Sequence, residues 1–259
     1  MVLRLTNYGG FMSTNHFEIL FVFGRPASGK SEFFDHIGKR DQNSLLSKLH
    51  IAPFETIDDW FVLADKFRED TLWEKLTGKR KYSKLDNNVE CVTDMLLYDY
   101  AILHLNRHVL ELTEKHPTFF QERTLLIEFS RGGEKNYEHT LALFDPSILN
   151  RAGIMYVNAD FDTSWARNVH RFEEKQKYSS LAHMIPRSQL ERLYLHDDWG
   201  TLTENNESGF INIKDQKIPF ATMENNDTPL EDLRNPAVMG PKYERALELL
   251  MKDYTTRLR

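Results

Sequence analysis

Ile19-Leu20-Phe21-Val22-Phe23 runs directly into Gly24-Arg25-Pro26-Ala27-Ser28-Gly29-Lys30-Ser31, and this junction decides the fold. The octapeptide spells the phosphate-binding pattern G-x-x-x-x-G-K-[ST]. The apolar run before it reads as a buried strand, and Ser31 to Ile37 after it reads as a helix. Strand, glycine-bounded loop and helix are the context the pattern needs. The two glycines allow a tight turn and close approach to a polyphosphate. Backbone N–H groups around Ala27, Ser28 and Gly29 then form a concave nest, backed by the positive end of the helix. Lys30 is expected to reach the outer phosphates, and the Ser31 hydroxyl suits a Mg²⁺ position. Arg25 and Pro26 are expected to stiffen the loop or lie exposed, without a role.

Composition sets the outer limits. The chain has 259 residues, 41% hydrophobic and 12% aromatic, enough for a sizeable core in one α/β unit. A formal charge of −6 with no lysine/arginine block argues against a nucleic-acid partner. One cysteine, Cys91, rules out an intramolecular disulfide and fits a reducing, cytoplasmic setting. The longest apolar run is too short to cross a bilayer, so no membrane role is expected. Residues 1–16 read as a flexible leader and 17–259 as a single domain. Met12 is an alternative start.

Further strands are expected at Phe54–Ile57, Thr124–Phe129, Gly153–Asn158 and Ile218–Met223, with Phe210–Ile213 as a hairpin partner for the last. Nearly continuous apolar strands separated by helices predict a parallel sheet of about five strands with helices on both faces. Helices are expected over Val89–Lys115, Phe161–Gln176, Pro186–His196 and Pro241–Arg259. Thr77–Lys84 reads as an exposed loop.

In such a sheet, ligands bind at the carboxyl ends of the strands. Glu55, Asp58 and Asp59 lie at or after the second strand and are candidate bases for a hydroxyl acceptor. Asp58 and Asp59 equally suit capping of the helix that begins at Trp60. Glu128, near the end of the third strand, suits a metal-organising role. Arg167 and Arg171 share a helix face and could clamp transferring phosphates from a helical lid at about 167–199.

These residues together resemble the P-loop kinases of small molecules, and most of all the deoxyribonucleoside kinases. That family carries E-P-V-x-x-W after its second strand, where this chain has Glu55-Thr56-Ile57-Asp58-Asp59-Trp60. It carries E-R-S after the third, where this chain has Glu128-Phe129-Ser130-Arg131. Its lid has spaced arginines, paired glutamates and I-P-x-x-x-L-E-x-L. Here stand Arg167, Arg171, Glu173, Glu174, Ile185-Pro186 and Leu190-Glu191-Arg192-Leu193, followed by His196 and Trp199. The resemblance implies a three-layer P-loop NTPase fold, ATP and Mg²⁺ as cofactors, and a small-molecule acceptor with a nucleoside favoured. It implies Glu55 as base, Trp60 and Arg131 at the acceptor, Glu128 at the metal, and Arg167 and Arg171 at the phosphates. A homodimer is compatible with it. The segment Ile57-Asp58-Asp59-Trp60-Phe61 is also similar to uridine kinase and phosphoribulokinase-like enzymes, which moves the base to Asp58. Glu224-Asn225-Asn226-Asp227-Thr228-Pro229 resembles the adenine-side loop of several such kinases. A zeta-toxin-like kinase of an activated sugar and a nucleotide-dependent switch or ATPase are the alternatives.

Overall fold

The computed structural model describes residues 15–86, 89–176 and 187–257. Among these residues a six-stranded sheet runs β2-β5-β1-β6-β8-β7. Its strands are β1 (Ile19–Phe23), β2 (Phe54–Asp58), β5 (Thr124–Phe129), β6 (Ala152–Asn158), β7 (Ser208–Ile213) and β8 (Gln216–Glu224). Every pairing is parallel except β7 with β8. A separate antiparallel hairpin pairs β3 (Ser83–Asp86) with β4 (Val89–Val92). The main helices are α1 (Lys30–Gly38), α2 (Asp59–Thr77), α3 (Leu96–Lys115), α4 (Phe161–Gln176), α5 (Arg187–Tyr194) and α6 (Pro236–Arg257).

Period-2 alternation divides the core between the two sheet faces. Ile19, Phe21, Phe23, Leu125, Ile127 and Phe129 pack with Ile102, Leu105 and Val109 of α3. Leu20, Val22, Leu126, Met155 and Val157 pack with Phe33 and Ile37 of α1 and Tyr243, Leu247 and Leu250 of α6. The result is a three-layer α/β fold. β1 is wholly buried and central, so it delivers the loop after it to the middle of the sheet's carboxyl edge.

The five parallel strands are as expected, and β7 adds the antiparallel edge strand beside β8 that the hairpin reading places there. Three expectations are corrected. The helix expected from Val89 begins only at Leu96, because Val89 to Val92 pair with Ser83 to Asp86, whose first two residues belong to the stretch expected as an exposed loop. Asp70 fixes that hairpin: its buried carboxylate accepts the amides of Lys81, Tyr82 and Ser83 and the Ser83 hydroxyl. The last helix begins at Pro236, five residues before Pro241. Asn235 Oδ1 accepts the Ala237 amide, so Asn235-Pro236 is the helix start. His16, assigned to the leader, is buried with Nε2 3.2 Å from the Phe120 carbonyl oxygen. Residues 1–14 and the lid stretch 177–186, including Ile185 and Pro186, lie outside the described residues. No described helix is long and apolar enough to cross a membrane. Cys91 is buried, with its thiol against the Val89 carbonyl.

Candidate functional site

The loop between β1 and α1 takes its shape from two glycines at positive φ whose would-be Cβ atoms meet neighbours closely. Gly24 has φ +152°, and a Cβ there would lie 2.3 Å from the Val157 carbonyl oxygen. Gly29 has φ +119°, and its Cβ would meet Asn225 Nδ2 at 2.5 Å. Ala27 is left-handed as well, at φ 56°. Gly29 caps α1 without a side chain, which leaves the first-turn amides pointing into the loop's mouth.

Two side chains fix the loop's shape from behind. Asn225 Nδ2 donates to the Ser28 carbonyl at 2.7 Å. Arg167 is buried and donates to the carbonyls of Ser28, Asn225 and Thr228 at 3.3, 2.5 and 2.9 Å. Burial pulls its pKa down, against the opposing charges of Glu32, Asp160 and Asp227. This corrects the clamp assignment: the Arg167 guanidinium is spent on backbone and braces the loop. Arg167→Met should lower the melting temperature by about 8 °C, since leaving buried carbonyls unpaired costs about 3 kcal/mol. Calorimetric melting of the free protein checks this.

Arg25, given no role from sequence, is also a brace. It donates to the carbonyls of Tyr194 and Ala159 at 2.8 and 3.1 Å and pairs with Asp197 at 2.8 Å. Asp197 also accepts the Tyr156 hydroxyl at 3.0 Å. Pro26 offers its carbonyl to Ser164 Oγ at 2.6 Å. The loop is thus tied to the end of α5 and to α4. Gly132 and Gly133 complete that contact from the other side: a Cβ on Gly132 would lie 2.6 Å from the Leu193 carbonyl oxygen.

Lys30 uses all three of its donors inside this site. Nζ bonds the Gly24 and Arg25 carbonyls, each at 3.1 Å, and Ser130 Oγ at 2.8 Å, with Glu128 at 3.9 Å. Burial lowers its pKa, opposed chiefly by Glu128, then Asp58 and Asp59. Ser31 is exposed at the helix start.

Sheet register assembles the acids. Asp58 closes β2 directly opposite Glu128 of β5, which is opposite Val22 of β1, so both carboxylates leave the sheet on the α1 side. Burial raises the Asp58 pKa to about 7, helped by the Glu128 and Asp59 charges and resisted by the Trp60 amide that Oδ1 accepts at 2.8 Å. Burial likewise raises Glu128, with Lys30 opposing. Asp58 therefore caps α2 and still faces the loop.

Glu55 is not part of this group. It sits three residues upstream in β2, on the opposite face by strand parity, half exposed and 3.2 Å from Arg123. Its carboxylate lies toward the wrong end of the sheet for the loop. Asp59 is buried and paired with Arg131 at 2.6 Å. Arg131 is buried too, donates to the carbonyls of Ser130 and Tyr98 at 2.6 and 3.3 Å, and lies over the Tyr98 ring. Arg131 thus positions the start of α2 and α3. Trp60 is exposed in the first turn of α2, edge-on to Phe67. Arg171 is half-buried within electrostatic reach of Lys30 and Glu128, and makes no hydrogen bond or ion pair among the described residues.

A small cleft lies beside Tyr98, lined by Val92, Met95, Gln189, Arg192 and Leu193. Among the described residues no cluster of three or more His, Cys, Asp or Glu forms a ready-made metal cage. Mg²⁺ bound with a nucleotide takes one or two carboxylates plus phosphate oxygens. Glu128 and the Ser31 hydroxyl are a donor set of that kind.

No protein-family model matches the sequence, and no curated protein matches it. Solved structures give low-level similarity. A sugar kinase from Janibacter sp. is 12% identical, with a TM-score of 0.40 over 90% of this chain and 96% of that one. A candidate kinase from Chloroflexus aurantiacus is 12% identical, with a TM-score of 0.38 over 85% and 96%. A Thermus thermophilus protein, TT1252, is 13% identical, with a TM-score of 0.41 over 87% and 98%. At this level of similarity they carry no argument about this chain's chemistry.

Proposed function

We propose that the chain is an ATP-dependent phosphotransferase that moves the γ-phosphate to a hydroxyl of a small molecule, with a nucleoside as the favoured acceptor. The observation that carries this reading is the parallel register that sets Asp58 and Glu128 side by side at the sheet's carboxyl edge, within electrostatic reach of Lys30.

Phosphoryl transfer asks the protein for position and charge more than covalent chemistry. The loop amides and Lys30 would hold the outer phosphates, with Lys30 exchanging its loop carbonyls for phosphate oxygens. Ser31 and Glu128 would hold Mg²⁺, which would supply charge neutralisation on those phosphates. The acceptor oxygen bonds to the γ-phosphorus as the bond to the β–γ bridging oxygen breaks, and the acceptor's proton passes to the Asp58 carboxylate. A base that titrates near neutrality suits that transfer. Arg171, with no carboxylate partner among the described residues, is placed to add positive charge as the phosphoryl group moves.

The test is ADP release from ATP and Mg²⁺ across a panel of nucleosides and sugars. Acceptor-stimulated turnover supports the reading, and none across a broad panel sinks it. The pH profile adds a sharper check. Asp58 must be ionised to accept a proton, so turnover should rise as pH is raised through about 7. Stability should move the other way. The folded state holds that proton more tightly than the unfolded chain, so this group's contribution falls as pH rises from about 4 to about 7. A rate that declines across the same range would contradict the assignment.

A further inference from the structure

The last turns of α2 stand clear of the core. Nine consecutive residues, Thr71 to Lys79, are exposed. Three of them are large and apolar: Leu72 is 61% exposed, Trp73 47% and Leu76 79%. Spacings of four and three residues set Leu72 and Trp73 each beside Leu76, so the three form one patch on the helix surface. The chain then reverses at Gly78, whose φ of +70° ends the helix and whose amide bonds the Glu74 carbonyl at 2.8 Å. A Cβ on Gly78 would meet nothing within 4 Å, so the reversal is a projecting tip.

The tip is held rigidly from behind. Asp70 binds the amides of Lys81, Tyr82 and Ser83 and so fastens the returning chain to α2. Arg80 pairs with Glu74 at 3.0 Å, pairs with Glu90, and donates to Ser83 Oγ at 3.0 Å. That pairing has an electrostatic consequence. Arg80 consumes the two nearby carboxylates, while Lys75, Lys79, Lys81 and Lys84 are all exposed and have no carboxylate partner among the described residues. From Leu72 to Leu85 five lysines and arginines face one acid, in a chain of formal charge −6. An apolar patch flanked by unpaired lysines thus reverses the charge of the molecule around it.

Shape and charge select the occupant. A second copy would bring the same lysines to a symmetric contact, where like charges repel. A stable protein interface takes about 20–30 residues from each side, closely matched in shape. A convex tip with three apolar side chains supplies neither. A lipid surface demands neither. Leucine and tryptophan enter the boundary between headgroups and acyl chains, and lysines on flexible stems reach the lipid phosphates. Contact of this kind needs no helix long enough to span the bilayer.

We propose that the tip formed by the end of α2 and the turn at Gly78 docks the protein on an anionic membrane surface. Leu72, Trp73 and Leu76 enter the headgroup layer, and the four lysines meet lipid phosphates. Sedimentation of the full chain with vesicles of mixed phosphatidylcholine and phosphatidylserine, and with vesicles of phosphatidylcholine alone, tests this. The wild type should pellet with the mixed vesicles and bind the neutral ones about tenfold more weakly, with affinity falling as salt rises. Leu76→Asp should weaken binding by about tenfold, and so should the double variant Lys75→Glu/Lys79→Glu. These positions are exposed, so the melting temperature of both variants should match wild type. Lys217→Glu/Lys252→Glu makes the same charge change on β8 and α6 and should leave vesicle binding within about twofold of wild type. Failure of the wild type to pellet with the mixed vesicles overturns the proposal, and so does equal pelleting of the two tip variants. A wild type that ignores vesicles yet binds polyglutamate, with that binding lost in the tip variants, also overturns it and makes the occupant an acidic protein surface.

Discussion

Asp58→Asn should reduce turnover by a factor of about 10²–10⁴, the range that a positioned base contributes, while ATP affinity stays within a few fold of wild type. Asn keeps an oxygen for the Trp60 amide, so the start of α2 is preserved. It cannot take a proton from an acceptor. Its buried site no longer has to hold a charge, so the variant should melt higher than wild type at pH 8, where the wild-type carboxylate is ionised. A variant that gains stability while losing activity is the signature of a strained catalytic acid. Glu55→Gln is the matched control. Glu55 is half exposed, on the far face of β2 and paired with Arg123, so its loss should leave turnover unchanged within a factor of about two. Steady-state kinetics on the two variants, with nucleotide binding measured separately, decide between the assignments. Loss of turnover in Glu55→Gln with Asp58→Asn active would reverse them.

Gly24→Ala should be the most damaging glycine-to-alanine change among the described residues. The added Cβ would sit 2.3 Å from a backbone oxygen of β6 and 2.9 Å from Ser28 Oγ, at a φ of +152° that side chains avoid. Backbone cannot swing aside as a flexible side chain does, so the loop itself must shift. A displacement of about 1 Å at a positioning site costs about a hundredfold, and nucleotide affinity should fall by that order. Gly78→Ala is the comparison. Gly78 also has positive φ, at +70°, but nothing lies within 4 Å of its would-be Cβ. That variant should lose about 1 kcal/mol of stability and no nucleotide affinity. Thermal melting and titration calorimetry on the pair separate backbone strain from steric damage to the site. Unchanged affinity in Gly24→Ala would mean the loop does not hold phosphates as described.

The octapeptide and its flanking strand were legible because both signals are local: glycine spacing and an unbroken apolar run. β5 and β6 were legible for the same reason, being buried on both faces. The grouping of the acids was less so. Ending β2 at Ile57 instead of Asp58 hides that Asp58 shares a register position with Glu128, and a one-residue difference inverts which face a side chain takes. Parity along the strand then excludes Glu55, although it heads the motif that suggested it.

The braces were beyond reach of sequence patterns. Arg25 and Arg167 spend their guanidinium groups mainly on backbone carbonyls from distant segments, and a carbonyl has no side-chain signature. Asn225 lay in a segment singled out for its likeness to an adenine-side loop, yet its amide grips the phosphate loop itself. The β3–β4 hairpin was missed because its strands are short and mixed in polarity, with Asp70, more than ten residues upstream, supplying its anchor. Asn235-Pro236 was a readable helix start, overshadowed by the second proline at Pro241.

Titration calorimetry of ATP with Mg²⁺ into the wild-type chain tests the central claim most directly. One nucleotide should bind per chain, with most of the affinity lost in Lys30→Ala, because on the proposed reading the amides from Gly29 to Ser31 and the Lys30 ammonium would form one polyphosphate cradle. No heat from either ATP or GTP, with the protein shown to be folded, would contradict it.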